Sequence, residues 1–222
     1  AEGGRYEFSR ANGRSAAATV APLPTPLAAT GPWTLSFPAG WGAPPQIPLP
    51  ELMSWSDHAE SGVRYFSGTA TYTQVIEVPA GFLGPQQRAW LDLGHVAVIA
   101  EVKLNGRELG TLWKPPFALD VTGALKSGRN ELEIRVTNLW VNRLIGDEQL
   151  PLDREWTTIP RRNGWALKTY PEWFQRGERS PSGRVTFATW KHYEKDAPLL
   201  ASGLLGPVVL RAVALLPLDA RN

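Results

Sequence analysis

Hydrophobic and polar residues alternate along several short stretches of the chain. In ELEIRVTN (131–138), Leu132, Ile134 and Val136 take every second position, with charged or polar residues between them. TATYTQVIEV (69–78) is rich in β-branched and aromatic residues. Because successive side chains of a strand point to opposite faces of a sheet, both stretches predict strands with one buried face.

Two Asn-Gly pairs predict tight hairpins. Asn105-Gly106 lies in the middle of IAEVKLNGRELGTLW (99–113), and Asn12-Gly13 follows a stretch in which aromatic and polar residues alternate. Asn-Gly is a preferred pair for the two-residue turns that join antiparallel strands. The same alternation predicts further strands at 33–37, 89–93, 183–190 and 206–217.

The chain has 222 residues, with 20 prolines, 21 glycines and no long stretch of helical periodicity. Short strands separated by turn residues predict an all-β fold, an antiparallel β-sandwich or jelly roll. We place an N-terminal hairpin at 1–21, a Pro-rich connector at 22–30 and the sandwich at 31–217. The hairpin is interpreted as the tail of a preceding domain.

Residues 139–182 show no convincing strand pattern and are predicted to be a long loop inserted into the sandwich. Loops of more than about 12–15 residues are usually either functional or disordered. This one is too aromatic for disorder, and we expect it to fold over one end or face of the sandwich. Its aromatic residues are Trp140, Trp156, Trp165, Tyr170, Trp173 and Phe174.

Composition excludes several classes of function. The formal charge is +2 and the basic residues are dispersed, with Arg161-Arg162 as the tightest cluster, so we expect no nucleic-acid partner. The absence of cysteine removes disulfides and thiol chemistry, and the three histidines lie far apart, which disfavours zinc. No apolar run reaches the ~20 residues that span a bilayer, so we expect no membrane partner.

Three segments together resemble a known family: YFSGTATY (65–72), VKLNGRELGTLWKPPF (102–117) and NLWVNRLIGDEQLP (138–151). They resemble the sugar-binding-like β-sandwich of family 2 glycoside hydrolases. More closely, they are similar to the C-terminal sandwich module of family 106, the α-L-rhamnosidase-like proteins. The resemblance covers roughly 31–151 and the closing strand.

The resemblance implies a galactose-binding-domain-like jelly roll that accompanies a catalytic barrel in a bacterial protein, secreted or periplasmic. In the family the barrel carries the catalytic carboxylates, and no segment of this chain matches it. Asp147 and Glu148 are adjacent, so an extended loop would point them apart, whereas glycoside hydrolysis needs two carboxyl groups facing one bond. We therefore expect no catalytic residues here and no catalysis by this chain alone.

The segment that follows the strand at 131–138 carries the chemistry of a sugar-binding site. Carboxylates accept hydrogen bonds from sugar hydroxyls, Arg and Asn donate to them, and an aromatic face covers the apolar side of the ring. We therefore predict a strand-end loop that binds sugar, and the resemblance points most directly to Asp147. The residues concerned are Asn138, Trp140, Asn142, Arg143, Asp147 and Glu148.

The same residues have a purely structural interpretation. Arg143 would form an ion pair with Asp147 or Glu148, Trp140 would pack on the end of the sandwich, and the two asparagines would cap backbone groups. Trp113 and Trp190 are weaker sugar-binding candidates. Trp113 is also interpreted as a core residue before a Pro-rigidified turn, and Trp190 as a strand end.

These observations predict a carbohydrate-binding module that recognises rhamnose-containing or other plant or microbial glycans. One alternative is an accessory domain that completes the active site of a neighbouring barrel without binding sugar itself, and another is a module for interdomain packing. We expect no required cofactor. A structural calcium ion is compatible with such a domain, although no Asp-rich loop calls for one.

Overall fold

The computed structural model describes residues 3–9, 11, 15–159 and 164–215. Its helices are α1 (Ser61–Arg64), α2 (Val141–Asp147) and α3 (Glu172–Gln175), with a 3₁₀ turn at Trp55–Asp57. Its strands are β1 (Gly4–Ser9), β2 (Ser15–Val20), β3 (Leu27–Ala28), β4 (Trp33–Ser36), β5 (Gln46–Leu49), β6 (Thr69–Val78), β7 (Gln87–Asp92), β8 (His95–Ala97), β9 (Ile99–Leu104), β10 (Arg107–Leu112), β11 (Ala118–Asp120), β12 (Gly128–Thr137), β13 (Trp156–Thr158), β14 (Trp165–Leu167), β15 (Gly203–Gly206) and β16 (Val209–Ala214).

Two antiparallel sheets enclose the core. One has six strands in the order β10-β9-β12-β6-β4-β5, and the other has four in the order β11-β7-β16-β3. The longest pairing joins β12 to β6, from Gly128 opposite Val78 to Thr137 opposite Thr69. The predicted all-β antiparallel sandwich is confirmed. Among the described helices, none is long and apolar enough to cross a membrane.

The core forms where the inward-facing positions of both sheets meet. Leu35, Tyr72 and Ile134 come from the six-stranded sheet, and Leu91 and Leu210 come from the four-stranded sheet; all are at most 1% exposed. Each such large apolar side chain contributes about 1.5–3 kcal/mol by leaving water. The alternation seen in the sequence is therefore the alternation between this core and solvent.

One buried phenol joins the core to the end of the sandwich. The Tyr72 hydroxyl accepts hydrogen bonds from the Trp55 indole N–H at 2.5 Å and from the Leu204 amide at 2.9 Å. Burial raises the pKa of Tyr72 well above its usual value. This hydroxyl therefore stays protonated and serves as a fixed acceptor.

Both hairpin predictions can be compared with the structure, but only one turn is described. Asn105 and Gly106 have φ angles of 53° and 78°, as a two-residue turn with both residues left-handed requires. At the N-terminus β1 and β2 form a sheet of their own, with Tyr6 opposite Ala18. The Asn12-Gly13 turn lies outside the described residues.

Two local predictions differ from the structure, and one strand was not predicted. The connector predicted at 22–30 contributes Leu27 and Ala28 to the edge of the four-stranded sheet. The Pro-rich stretch at 38–50 contains a strand, β5, which sequence alternation did not indicate. The single strand predicted at 206–217 is interrupted at Pro207, which has no N–H to donate, and continues as β16; residues 216 and 217 are not described.

The edges of the two sheets are short or irregular. β5 carries Pro48, opposite Thr34 of β4, and β3 has only two residues. On the other edge of the six-stranded sheet, β10 shifts its register against β9 between Glu108 and Gly110. These interruptions leave the sheet edges with few regularly spaced free hydrogen-bonding groups.

Candidate functional site

The predicted strand-end loop is a helix. β12 ends at Thr137, and α2 begins four residues later at Val141. The extended interpretation was wrong because it read only local sequence, whereas the helix is stabilised by tertiary contacts. The hydroxyl of Ser67 accepts a hydrogen bond from the Arg143 amide at 3.1 Å, and so caps the first turn from outside the helix.

Gly146 lets α2 pack closely at the sandwich end. A Cβ at this position would lie 2.5 Å from the Nη2 of Arg143 and 2.5 Å from the Cβ of Tyr65. Any larger residue would therefore push the helix away. Asn142, Ile145 and Asp147 are buried on the same helix.

Asp147 binds a distant segment of the chain. Its carboxylate accepts hydrogen bonds from the backbone amides of Val185 and Thr186 at 3.1 and 2.7 Å, and from the Thr186 hydroxyl at 2.6 Å. From the other side, Arg154 donates to the carbonyl oxygens of Thr186 and Ala188 at 3.3 and 3.1 Å. The backbone of this segment is thus satisfied by side chains.

This arrangement corrects the predicted strand at 183–190. The segment has the alternating composition of a strand, but it lies in no sheet, and Trp190 forms only an isolated bridge with Ala166. The amides of Val185 and Thr186 donate to the Asp147 carboxylate, whereas those of a strand would donate to the backbone of a neighbouring strand. Sequence alternation cannot distinguish these two ways of satisfying the same donors.

Arg143 forms the predicted ion pair with Asp147, at 3.1 Å between Nε and Oδ1, and both side chains are buried. The Nε–H is not aligned with that oxygen, so the contact is electrostatic and not a well-formed hydrogen bond. Burial lowers the pKa of Arg143, and the Asp147 charge acts in the opposite direction. The structural interpretation is correct for this pair.

The two asparagines of the candidate site bind backbone. Asn138 accepts from the Gly68 amide at 2.9 Å and donates to the Phe66 carbonyl at 2.9 Å. Asn142, 1% exposed, exchanges two hydrogen bonds of 2.8 Å with the backbone of Leu200. Both amides therefore fasten neighbouring loops to the end of β12 and to α2.

Two further buried ion pairs hold the inserted segment together. Glu148 pairs with Arg184 at 2.8 Å, and Asp153 pairs with Arg154 at 2.7 Å, with the Asp153 side chain fully buried. Burial alone would raise the pKa of Asp153, but hydrogen bonds from Arg154 and Ser180 outweigh it and hold the pKa below its usual value. The described part of the segment 139–182 contains α2, β13, β14 and α3.

Trp140 is the exposed aromatic residue of the candidate site. It is 51% exposed, and its ring lies 5.5 Å from that of Trp41, centroid to centroid. We call these two residues the rim pair. Trp41 was not predicted as a site residue, because its surroundings in the sequence, AGWGAPP, carry only turn signals.

Beside the rim pair lies a cleft of about 500 Å³, which we call the insertion cleft. One wall is formed by Gly40 and Trp41, and the other by Trp173, Phe174, Arg179 and Phe187. The rings of Phe174 and Phe187 stack at 3.8 Å with an angle of 17° between their planes. Aromatic walls with a few polar groups are typical of ligand clefts of this size.

The two weaker candidates lie in different surroundings. Trp113 is 66% exposed and contacts Lys114 through a cation–π interaction at 5.3 Å, so the core interpretation was wrong. Trp190 is 44% exposed and borders a small cavity of about 20 Å³ together with Leu144 and Glu148. The structure thus brings Trp190 near α2.

Other parts of the chain hold the two carboxylates of α2. Thr186 donates hydrogen bonds to Asp147, and Arg184 donates one to Glu148. Within the described ranges, no group of three or more His, Cys, Asp or Glu residues is placed to hold a metal ion. The calcium ion remains a prediction, because backbone oxygens also bind calcium.

Comparison with known proteins places this arrangement in a family. The family described as glycosyl hydrolase 2 galactose-binding domain-like matches residues 54–174. A protein of Formosa agariphila named "Putative beta-glucuronidase" is 46% identical over 210 residues, which are 95% of this chain and 18% of that protein. The structure of a rhamnosidase from Novosphingobium sp. PP1Y matches with a TM-score of 0.66 and 33% identity, over 96% of this chain and 16% of that one.

The chain therefore spans less than a fifth of the length of these two relatives. The resemblance to the family 2 sandwich is confirmed, whereas the finer likeness to family 106 stays a prediction. The family match runs from the 3₁₀ turn into α3, and so includes α2, but of the residues that line the insertion cleft it includes only Trp173 and Phe174. This chain belongs to the glycosyl hydrolase 2 galactose-binding domain-like family.

Proposed function

We propose that this chain is the carbohydrate-binding module of a rhamnosidase-like glycoside hydrolase, related to family 106 and secreted or periplasmic. The observation that carries the proposal is the rim pair, because half of the Trp140 surface is open to solvent and its partner ring, Trp41, lines a ligand-sized cleft. An exposed indole held by a second ring is a suitable surface for the apolar face of a sugar. The likeness to a rhamnosidase supports a rhamnose-containing glycan as ligand.

A catalytic barrel is the proposed partner in the full-length protein. The domain itself supplies no catalytic group, and its contribution is to hold a plant or microbial polysaccharide near the barrel. The polar residues around α2 then act indirectly, since they fix the helix that carries Trp140 at its N-terminus. This assigns Trp140 to binding and Asn138, Asn142, Arg143, Asp147 and Glu148 to support.

Titration with rhamnose oligosaccharides, followed by calorimetry and tryptophan fluorescence, tests the proposal. We expect saturable binding that Trp140→Ala abolishes. Trp165→Ala is the matched control, because Trp165 in β14 has a similar exposure, 46%, but among the described residues its ring packs against no aromatic ring of the cleft. Unchanged affinity in a folded Trp140→Ala protein would refute this use of the rim pair. Repeating the titration with a chelator tests the calcium ion.

A second function is favoured by Trp113. It is the most exposed large hydrophobic residue of the described ranges, at 66%, and it stands next to Pro115 and Pro116 in a stiff loop. An accessory domain that completes a barrel's active site would present such a residue. This alternative predicts no sugar affinity in the isolated domain and reduced activity of the full-length enzyme with Trp113→Ala.

A further inference from the structure

The insertion cleft contains an unusual balance of charge. Two charged residues besides Arg179 line it, and each has a partner. Glu178 is held by Arg176, with 2.8 and 3.0 Å hydrogen bonds to its two oxygens. Arg184 pairs with Glu148 at 2.8 Å and also donates to the Leu150 and Pro151 carbonyls.

Arg179 differs from these residues. Among the residues that the structure describes, no hydrogen-bond or ion-pair partner is found for its guanidinium. The group reaches across the cleft, because a Cβ built on Gly40 of the opposite wall would lie 3.8 Å from its Nη2. The cleft thus holds one uncompensated positive charge above aromatic walls.

We infer that the insertion cleft binds an anionic sugar residue of the glycan, with the Arg179 guanidinium against its carboxylate or sulfate group. The inference rests on the proposed function and specifies the ligand class. A guanidinium presents parallel N–H donors that match a carboxylate or sulfate in a two-pronged contact. The ring of the same sugar lies against Trp41, and the Phe174–Phe187 stack forms the opposite wall.

The neighbouring charges sharpen this selectivity. Arg176 pairs with Glu178 and also with Glu172, so Glu178 repels an anion less than an unpaired carboxylate would. Arg179 is exposed, so the attraction also depends on ionic strength and weakens as salt is added. A neutral sugar would gain the aromatic contacts but not the charge-assisted hydrogen bonds.

The test compares sugars that differ in charge alone. A rhamnosyl-glucuronic acid disaccharide is titrated beside its carboxyl-reduced form, in which glucose replaces glucuronic acid, and beside a sulfated form of the neutral disaccharide. We expect the wild-type chain to bind one or both anionic sugars roughly tenfold more tightly than the neutral one at low salt, from the strength of hydrogen bonds to charged groups. The arm that shows the preference identifies carboxylate or sulfate as the group.

Arg179→Gln should remove that preference, so that charged and neutral sugars bind with similar affinity. Arg129→Gln is the matched control: it removes the same charge from an exposed position on β12, outside the cleft. Equal binding of charged and neutral sugars by the wild type, or a preference that survives Arg179→Gln, would overturn the anionic site while leaving the proposed function intact. If no sugar binds at all, the proposed function and this inference both fail.

Discussion

Asp147→Ala tests whether one carboxylate fastens the inserted segment to the sandwich. The carboxylate is 2% exposed and accepts hydrogen bonds from the amides of Val185 and Thr186, with Arg143 beside it. The substitution leaves two backbone donors without their acceptor and one buried cation without its counter-charge. Because Asp147 lies on α2, the substitution changes no residue of a strand.

The cost follows from these losses. A buried donor left unsatisfied costs about 1–3 kcal/mol, and breaking a buried ion pair from one side costs about 3–5 kcal/mol. The contributions overlap, because Arg143 can still reach some water, and we expect a loss of about 5 kcal/mol. Asp147→Asn keeps the shape and one acceptor oxygen, and we expect about half that loss.

Urea unfolding measures the total loss of stability. Hydrogen exchange of the peptide 183–190 shows whether the loss arises in this segment. We expect faster exchange in this peptide for both variants, while the amides of β6 and β12 stay protected. Asp196→Ala is the control, since it removes the same kind of carboxylate from an exposed position. Adding Arg143→Met to Asp147→Ala should recover part of the loss, because it removes the unpaired charge.

A loss below about 1 kcal/mol for Asp147→Ala, with exchange at 183–190 unchanged, would refute the reasoning. It would mean that water or another side chain satisfies Val185 and Thr186 equally well. A loss that Arg143→Met fails to reduce would refute only the electrostatic part. The two measurements therefore separate the hydrogen bonds from the ion pair.

Three further outcomes follow from the same contacts. Asn142→Ala should lower stability by about 2 kcal/mol in urea unfolding, because the Leu200 backbone loses both partners, while sugar affinity of the folded protein is retained. Trp113→Ala should change stability by less than about 0.5 kcal/mol, because the ring is mostly in solvent. Asp153→Asn should destabilise the chain at pH 7, and its difference from the wild type should shrink in acid. The folded pKa of Asp153 is depressed, so its contribution is fully present above the unfolded value of about 3.9 and is lost as pH falls through the folded pKa.

Strands with local signals were predictable from sequence. β6 was predicted over its full length, and the β9–β10 hairpin follows from the Asn105-Gly106 turn, because alternation and turn chemistry depend on adjacent residues. Helix α2 was not predictable in this way. It is only seven residues long, and its first turn is capped by Ser67, which is distant in sequence.

The residues of the candidate site could be predicted from the sequence, but their contacts and positions could not. The sequence around α2 contained the right residues for either sugar binding or internal support, and hydrogen bonds to 185–186 and Leu200 decide for support in most of them. Trp41 and Arg179 could not be found, because their proximity across the cleft depends on how two distant loops pack. The aromatic residues themselves were visible in the sequence, and Trp140 was among those predicted to bind sugar.

The irregular sheet edges bear on how the domain behaves when many copies lie close together. An unpaired, regular edge is a template for the strand of another molecule, and such pairing leads to aggregation. Here a proline in β5, a two-residue β3 and the register shift in β10 each interrupt the template. Copies of the domain at high local concentration would therefore remain separate molecules.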